Sequence, residues 1–298
     1  MLAPTISLWH SCAMNYRHIY HAGNICDVVK HVTLLALLVH MRKKSTPFLV
    51  LDTHAGCGLY DLQDPAALKT GEAAAGIGRL LTPDWVEQFP DYAAVLAAYN
   101  PGLLDGGRLN PDLCRSYPGS PLLIAAGLRA QDRYVGSELH PEDFTALRRN
   151  VPRLPRHQLH QRDGYEALRA FLPPPEKRGL VLIDPPYELP DEFTMLADNL
   201  ASAVHRWPQG MFAVWYPLKD RSAVWRFQES MANSGVRNQL LLEFTYDNSA
   251  TTRLFGSGML IVNPPWQFAE IMAIHYGYLQ KVLASSAGQT KIAWLVQE

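Results

Sequence analysis

The stretch that most constrains the fold is a short apolar run that ends in a carboxylate, two prolines and an aromatic ring. Residues 179–183 read Gly-Leu-Val-Leu-Ile, and residues 184–187 read Asp-Pro-Pro-Tyr. A continuous apolar run of this length predicts a strand buried on both faces, as in a parallel sheet. The prolines cannot continue the strand, because they have no N–H for the ladder. We therefore expect the tetrapeptide to project from the carboxyl-terminal edge of the sheet, where open α/β sheets bind ligands.

The side chains and carbonyls of this tetrapeptide offer a specific chemistry. Asp184 supplies a carboxylate oxygen, Pro185 supplies a backbone carbonyl without a competing N–H, and Tyr187 supplies a flat ring. Together they could accept both hydrogens of an exocyclic amino group and stack the attached heterocycle. The alternative is a loop whose prolines only end a strand, because four residues of this kind also recur by chance.

Composition excludes several protein classes. The chain has 298 residues, enough for one large domain with or without an insertion. Hydrophobic residues make up 48%, with no uninterrupted apolar stretch of membrane length, which predicts a soluble globular protein. The 4 cysteines show no C-x-x-C pairing, which predicts reduced thiols in a cytoplasmic protein and indicates neither disulfides nor zinc.

The charge balance does not indicate a nucleic acid-binding protein. A net charge of −1 lacks the basic excess that such proteins usually carry, so any contact with RNA or DNA would need a local patch. The alternative for every basic group is a solvated surface. The candidates are Arg17, Lys30, residues 42–44, Arg148, Arg149, Arg153 and Arg156.

Four turns follow predicted strands in a fixed order. The first strand, residues 48–52, runs into a turn that reads Thr-His-Ala-Gly-Cys-Gly, which permits the close approach of a nucleotide-type cofactor. Glu138 follows the second strand, Asp163 with Gly164 follows the third, and Asp-Pro-Pro-Tyr follows the fourth. Each signal is weak alone, but together they resemble the pattern of S-adenosylmethionine-dependent methyltransferases.

The wide separation between the first two strands predicts an insertion. An ordinary cofactor-binding unit places its ribose-binding acid about 20 residues after the glycine turn, whereas Glu138 lies much further on. Aromatic and apolar residues between 85 and 99 keep helical spacing. We predict a small helical subdomain over residues 59–113, inserted into a methyltransferase domain formed by residues 14–58 and 114–298.

The remaining chain alternates helices with strands, which predicts an α/β fold with a mostly parallel sheet. Strands over residues 239–246 and 259–262 are placed like a hairpin, so one antiparallel strand is expected. Asn24 is expected to cap a helix, and Ser120 to cap another. Residues 1–13 lack periodicity and the features of a secretory signal, so we expect a disordered tail or an upstream start.

Longer motifs are similar to those of a single known family. They are residues 16–24 (Tyr-Arg-His-Ile-Tyr-His-Ala-Gly-Asn), 27–31 (Asp-Val-Val-Lys-His), 52–56 (Asp-Thr-His-Ala-Gly), 117–121 (Tyr-Pro-Gly-Ser-Pro), 138–141 (Glu-Leu-His-Pro) and 257–266 (Ser-Gly-Met-Leu-Ile-Val-Asn-Pro-Pro-Trp). These motifs resemble the RlmJ family of 23S ribosomal RNA adenine-N6 methyltransferases. The resemblance runs from Met14 to the C-terminus. It implies a Rossmann-like methyltransferase fold with an inserted helical subdomain.

The resemblance also implies roles for individual residues. Asp184 is the implied catalytic residue, with Pro185 and Tyr187 beside it, and Tyr16 is the implied RNA contact. Contacts with S-adenosylmethionine are implied for His31, His54, Ser120, Glu138, Asp163, Gly164 and Asp184. A base inside a duplex cannot reach such a pocket, so the target adenine must be unpaired or flipped. We expect a monomer that acts on protein-free or early-assembly 23S rRNA.

Alternatives stay open at this stage. The same fold could act on a DNA adenine or on a protein glutamine amide, or the chain could be a binding protein for DNA utilisation with a vestigial cofactor site. A second motif, Asn263-Pro-Pro-Trp, is of the same kind as Asp184-Pro-Pro-Tyr but follows the last pair of strands. His18, His21 and Cys26 do not have the spacing of a common metal site.

Overall fold

An eight-stranded mixed sheet forms the centre of the computed structural model, which describes residues 17–247 and 254–297. The strands are β1 (Leu49–Asp52), β2 (Leu59–Asp61), β3 (Leu104–Asp105), β4 (Arg108–Leu109), β5 (Ser116–Pro118), β6 (Arg133–Ser137), β7 (His157–His160), β8 (Gly179–Ile183), β9 (Met211–Leu218), β10 (Gln239–Thr245), β11 (Gly256–Val262) and β12 (Gln289–Val296). The strands β2 to β5 form two separate short ribbons.

Helices cover both faces of the sheet. They are α1 (Ile25–Arg42), α2 (Pro65–Thr70), α3 (Glu72–Ala75), α4 (Ile77–Leu80), α5 (Trp85–Gln88), α6 (Pro90–Tyr99), α7 (Ser120–Gly127), α8 (Pro141–Asn150), α9 (Gly164–Phe171), α10 (Glu192–Arg206), α11 (Arg221–Asn233) and α12 (Phe268–Leu283), with 3-10 helices at His18–Tyr20 and Pro111–Leu113. No helix among these combines the length and the apolar character needed to cross a membrane.

The strand order creates a switch point in the middle of the sheet. The order is β12-β10-β11-β9-β8-β1-β6-β7, and β9, β8, β1, β6 and β7 are parallel. From β1 the chain moves outward to β6 and β7, then returns to β8 on the other side of β1. Open α/β sheets bind ligands beside such a reversal. The predicted α/β fold with a mostly parallel sheet is confirmed.

Two strands, rather than the predicted one, oppose the parallel set. β11 is antiparallel to β9 and β10, as expected from the hairpin. β12 is also antiparallel to β10, which the sequence analysis did not predict. Because α12 connects β11 to β12 as a crossover, β12 runs parallel to β11 and therefore opposite to β9.

The apolar run at 179–183 forms β8 and is buried along its whole length. Alternate side chains of a strand point to opposite faces, and β8 supplies both halves of the core. Leu180 and Leu182 belong to the cluster that includes α1, α7 and α12. Val181 and Ile183 belong to the cluster that includes α9, α10 and α11. The prediction of a strand buried on both faces is confirmed.

Five short helices, α2 to α6, lie between β2 and β5. Trp85, Tyr92 and Leu96 from this segment belong to the same buried cluster as α1 and α7. The ribbon of β2 with β5 brings the two ends of the segment together. The division of the chain into a main domain and a subdomain stays a prediction, and the expectations for residues 1–13 and Tyr16 lie outside the described residues.

Candidate active site

The carboxyl ends of β1, β6, β7 and β8 bring most of the predicted site residues to one edge of the sheet. Asp52 ends β1 and aligns with Gly136 of β6 and Leu182 of β8. Glu138 directly follows β6, and Asp184 directly follows β8. Parallel pairing thus converts residues that are far apart in sequence into neighbours around the switch point.

Glu138 is hydrogen-bonded to the glycine turn after β1. Its Oε2 accepts a hydrogen bond from the backbone N–H of Gly56 (2.8 Å), and its Oε1 accepts one from His140 (2.7 Å). Burial raises the pKa of Glu138, while these two N–H groups oppose that rise. Gly56 has a positive φ of 62°, and a Cβ there would lie 2.2 Å from the hydroxyl oxygen of Tyr60. Each carboxylate oxygen keeps capacity to accept another hydrogen bond.

Asp163 and Gly164 form the start of α9 at the same edge. The Oδ1 of Asp163 accepts a hydrogen bond from the N–H of Glu166 (2.9 Å), which caps the helix. A Cβ on Gly164 would lie 2.5 Å from Cε1 of His54, so glycine allows the turn after β1 to approach α9. Burial lowers the pKa of His54, which favours the neutral ring.

Ser120 contacts the sheet instead of capping its helix. Gly119 is the N-cap residue of α7, so the prediction that Ser120 caps it is wrong by one position. The Oγ of Ser120 donates to Oδ2 of Asp52 (2.7 Å), which takes the hydroxyl away from the helix end. Asp52 is 0% exposed, and its Oδ1 has no hydrogen-bond partner among the described residues. Burial raises the pKa of Asp52 to about 7.

His31 lies in a buried row of polar rings. Its Nδ1 is 2.8 Å from the hydroxyl of Tyr117, which is 2.7 Å from the hydroxyl of Tyr92 in α6. Burial lowers the pKa of His31 to about 3, so the ring is neutral. The other nitrogen, Nε2, is buried and has no hydrogen-bond partner among the described residues.

Asp184 is paired with a buried lysine. The Nζ of Lys30 lies 2.6 Å from Oδ2 of Asp184 and 2.7 Å from Oδ1 of Asp27. Lys30 is 5% exposed. Burial would lower the pKa of Lys30, but the two carboxylates hold it above its usual range. Burial would likewise raise the pKa of Asp27, but Lys30 and its neighbours hold it well below its usual range.

Tyr187 is fixed beside this ion pair. Its backbone has a positive φ of 54°, which turns the chain sharply after the prolines. The hydroxyl donates to the backbone oxygen of Trp215 in β9 (2.6 Å). The ring packs against Phe193, with centroids 4.9 Å apart, and against the edge of Trp215 at 5.7 Å. These contacts fix the plane of the half-buried ring.

The second Pro-Pro motif lies at the opposite edge of the sheet. Asn263 follows β11, which is antiparallel to β9, so its end is remote from the carboxyl end of β8. The amide Nδ2 of Asn263 donates to the backbone oxygens of Pro208 and Gly210, both at 2.7 Å. This motif therefore connects two loops and is not part of the candidate site.

Comparison with known proteins agrees with this geometry. A family model described as "Ribosomal RNA large subunit methyltransferase D, RlmJ" matches residues 45–296 of the chain. The chain belongs to the RlmJ family. The resemblance predicted from the short motifs is thereby confirmed.

Relatives of this RlmJ family chain match it over nearly its full length. Two proteins named "Ribosomal RNA large subunit methyltransferase J" are each 36% identical to it. The one from Escherichia coli (strain K12) aligns over 287 residues, and the one from Haemophilus influenzae aligns over 288. Each alignment covers 96% of this chain and 100% of the relative. A crystal structure of a Legionella pneumophila protein has 30% identity and a TM-score of 0.80, covering 92% of this chain and 98% of that one.

Three charged members of the candidate site were not predicted as site residues. Asp27 and Lys30 were noted within the motif at residues 27–31, and Lys30 also as a candidate basic group. Asp52 was noted as the end of the first strand and within the motif at residues 52–56. The available signal was the spacing of Asp27, Lys30 and His31, which places three polar side chains on one side of an otherwise apolar helix.

Proposed function

We propose that this chain transfers a methyl group from S-adenosylmethionine to N6 of an adenine in 23S rRNA. The observation that carries the proposal is the position of Asp184 at the switch point, beside the edge formed by Glu138, Asp163 and His31. Membership of the RlmJ family supports the same reaction.

The polar groups at this edge fit the cofactor. S-adenosylmethionine presents an amino-acid end, two ribose hydroxyls and an adenine ring. The Nε2 of His31 lies 3.5 Å from Oδ1 of Asp27 and makes no hydrogen bond within the described residues, so it can donate to the cofactor's carboxylate if Tyr117 donates to Nδ1. Glu138 can accept from the ribose hydroxyls, and the second oxygen of Asp163 can accept from the adenine amino group. His54, Ser120 and Gly164 shape the walls between these groups.

When bound, the cofactor supplies an electrophilic methyl group on its sulfonium. The adenine N6 lone pair is delocalised into the ring, so the amino group is a poor nucleophile until its hydrogens are directed toward acceptors. We propose that Asp184 and the carbonyl of Pro185 accept these two hydrogens and localise the lone pair. Because Lys30 occupies Oδ2 of Asp184, Oδ1 is the oxygen directed to the substrate.

The proton on N6 must leave as the new N–C bond forms. Asp184 takes it as or after the methyl group moves, and positioning supplies most of the rate. The ammonium of Lys30, 2.6 Å from Oδ2, fixes the orientation of the Asp184 carboxylate beside the substrate. Tyr187 stacks the base, and its bond to Trp215 holds the ring in one orientation.

The geometry also implies the form of the substrate. The side chain of Asp184 is only 16% exposed at the sheet edge, so the adenine must be unpaired or rotated out of its stack to reach it. We propose protein-free or early-assembly 23S rRNA as the substrate, a monomeric enzyme in the cytoplasm, and Tyr16 as an RNA contact.

A panel of acceptors tests the proposal. Labelled S-adenosylmethionine is offered with protein-free 23S rRNA, assembled ribosomes, adenine-containing DNA and a release-factor peptide. We expect label in 23S rRNA, recovered as N6-methyladenosine by nucleoside mass spectrometry. Label in DNA or peptide alone would assign a different acceptor, and label in none of them would favour a binding protein.

A further inference from the structure

An exposed tryptophan lies on α11, next to the candidate site. Trp225 is 60% exposed, while its neighbours Val224 and Phe227 are buried in the core. One exposed apolar side chain is common and needs no explanation. The position of Trp225 and the charges around it indicate a more specific role for this side chain.

The strand that precedes α11 is β9, and it extends beyond the carboxyl end of β8 at the active-site edge. β8 pairs with β9 as far as Ile183 opposite Val214, but β9 continues to Leu218. Four further residues extend about 13 Å, at about 3.3 Å per residue. β11 pairs with β9 along this extension, which stiffens it. The extension therefore forms a wall that projects beyond the end of β8, which Asp184 follows, and α11 begins at Arg221, just after this wall.

Aromatic contacts connect the inner face of α11 to the site. Tyr187 packs on Phe193 at 4.9 Å between centroids, and Phe193 packs on Phe227 of α11 at 5.5 Å. Since Phe227 faces inward, Trp225 lies on the outer face of the same helix. An RNA strand that leaves Asp184 over this wall would reach that outer face.

The exposed charges near Trp225 are three basic and two acidic groups, which leaves a small basic excess. Lys219, Arg221 and Arg226 are exposed, as are Asp220 and Glu229. Arg221 and Glu229 each share a helix face with Trp225 through i,i+4 spacing. The guanidinium of Arg221 packs over the ring of Phe255, 4.7 Å from its centroid. This contact holds the guanidinium near the carboxyl end of β9. The nearby Asp220 is engaged in capping, because its Oδ1 accepts from the N–H groups of Ser222 and Ala223.

We propose that Lys219, Arg221, Trp225 and Arg226, the α11 platform, bind the single-stranded RNA that flanks the target adenine. A base of the RNA stacks on Trp225, and the basic groups contact phosphates. Single-stranded RNA is bound through aromatic stacking combined with a positively charged track, which is the composition of this surface. The inference rests on the proposed function, because it assigns the platform to the RNA substrate of that reaction.

Steady-state methylation of protein-free 23S rRNA by the full chain tests the inference. Trp225→Ala should raise KM for the RNA about tenfold while kcat stays within about twofold, since stacking stabilises ground and transition states alike. Trp225→Phe should restore most of the affinity. The matched control is Trp266→Ala, because Trp266 is 83% exposed but follows the second Pro-Pro motif at the opposite edge. It should leave KM unchanged.

Filter binding of the same RNA at several salt concentrations gives a second readout. Replacing Lys219, Arg221 and Arg226 together by Gln should reduce the slope of log K against log salt by about 0.7 for each phosphate that the variant no longer neutralises. Equal KM and equal salt slopes for wild type and variants would overturn the inference. A defect seen with assembling ribosomal particles but not with free RNA would also overturn it, in favour of a protein partner.

These readouts separate the two proposals. If the wild-type chain does not methylate 23S rRNA, the proposed function fails, whereas filter binding still reports on Trp225. If the wild type methylates the RNA and Trp225→Ala is kinetically normal, only the α11 platform is wrong.

Discussion

Lys30 holds the proposed catalytic carboxylate, Asp184, in a buried series of alternating charges. Its ammonium lies between Asp27 and Asp184, two residues that are far apart in the sequence. Buried ions lose hydration, and their mutual attraction offsets that loss only when every charge is partnered. Removing one member therefore affects both stability and the orientation of Asp184.

We expect Lys30→Met to lower kcat about 100-fold or more, because Asp184 loses the group that orients it. The free energy of unfolding should fall by about 3–5 kcal/mol, since Asp27 is left buried without its partner. Measurements of kcat and of the free energy of unfolding in urea report the two effects. The double variant Asp27→Asn with Lys30→Met should recover much of the stability but not the turnover. Recovered turnover would show that Lys30 acts only on stability.

Asp52 should make stability depend on pH. Its pKa is raised to about 7 in the folded protein by burial, against an ordinary value near 3.8. The stability it contributes is therefore fully present below about pH 4 and is lost as the pH rises toward 7.

We expect the variant Asp52→Asn, which cannot ionise, to gain stability relative to wild type over that window, by about 1.4 kcal/mol per pH unit. Any fixed cost of the buried amide is the same at each pH. Denaturant unfolding of both proteins from about pH 5 to pH 8 gives the difference. A difference that is flat with pH would show that Asp52 is ionised throughout.

At this scale the sequence predicted which residues meet but not how they pair. Asp184, Glu138 and Asp163 could be predicted because each follows a predicted strand, and strand ends converge in a parallel sheet. The Lys30 contact with Asp184 could not be, since it joins groups 154 positions apart and depends on how α1 packs on the sheet. The prediction for Tyr16 lies outside the described residues.

Among the elements, strand direction separates two similar motifs. Asp184 and Asn263 both follow buried strands and precede two prolines. β8 belongs to the parallel set whereas β11 opposes it, so the motifs lie at opposite edges. Direction depends on pairing partners, which a local apolar pattern does not reveal. The same limit explains why the direction of β12 was not predicted.

Asn263→Ala should reduce stability without reducing the rate. The side chain donates to the oxygens of Pro208 and Gly210, and its loss leaves both without this donor, which costs about 1–3 kcal/mol. Differential scanning calorimetry together with kcat measures the two properties. A large loss of kcat with normal stability would place Asn263 in the catalytic machinery and contradict the assignment.

For the whole molecule, the sheet order explains why one site forms. The chain reverses between β1 and β8, so residues from its first and second halves converge at the same edge. Periodicity could predict the α/β architecture, because buried strands and amphipathic helices alternate along the chain. The acceptor could not be derived from periodicity, since adenine and glutamine amides present the same planar amino group. That choice depends on the family relationship.

Methylation of protein-free 23S rRNA by Asp184→Ala tests the central claim most directly. Lys30 keeps Asp27 as a partner in this variant, so we expect thermal unfolding close to that of the wild type. Mass spectrometry should detect no N6-methyladenosine from Asp184→Ala, while Asn263→Ala, measured in parallel, forms it at the wild-type rate. Normal turnover by a folded Asp184→Ala variant would contradict the account.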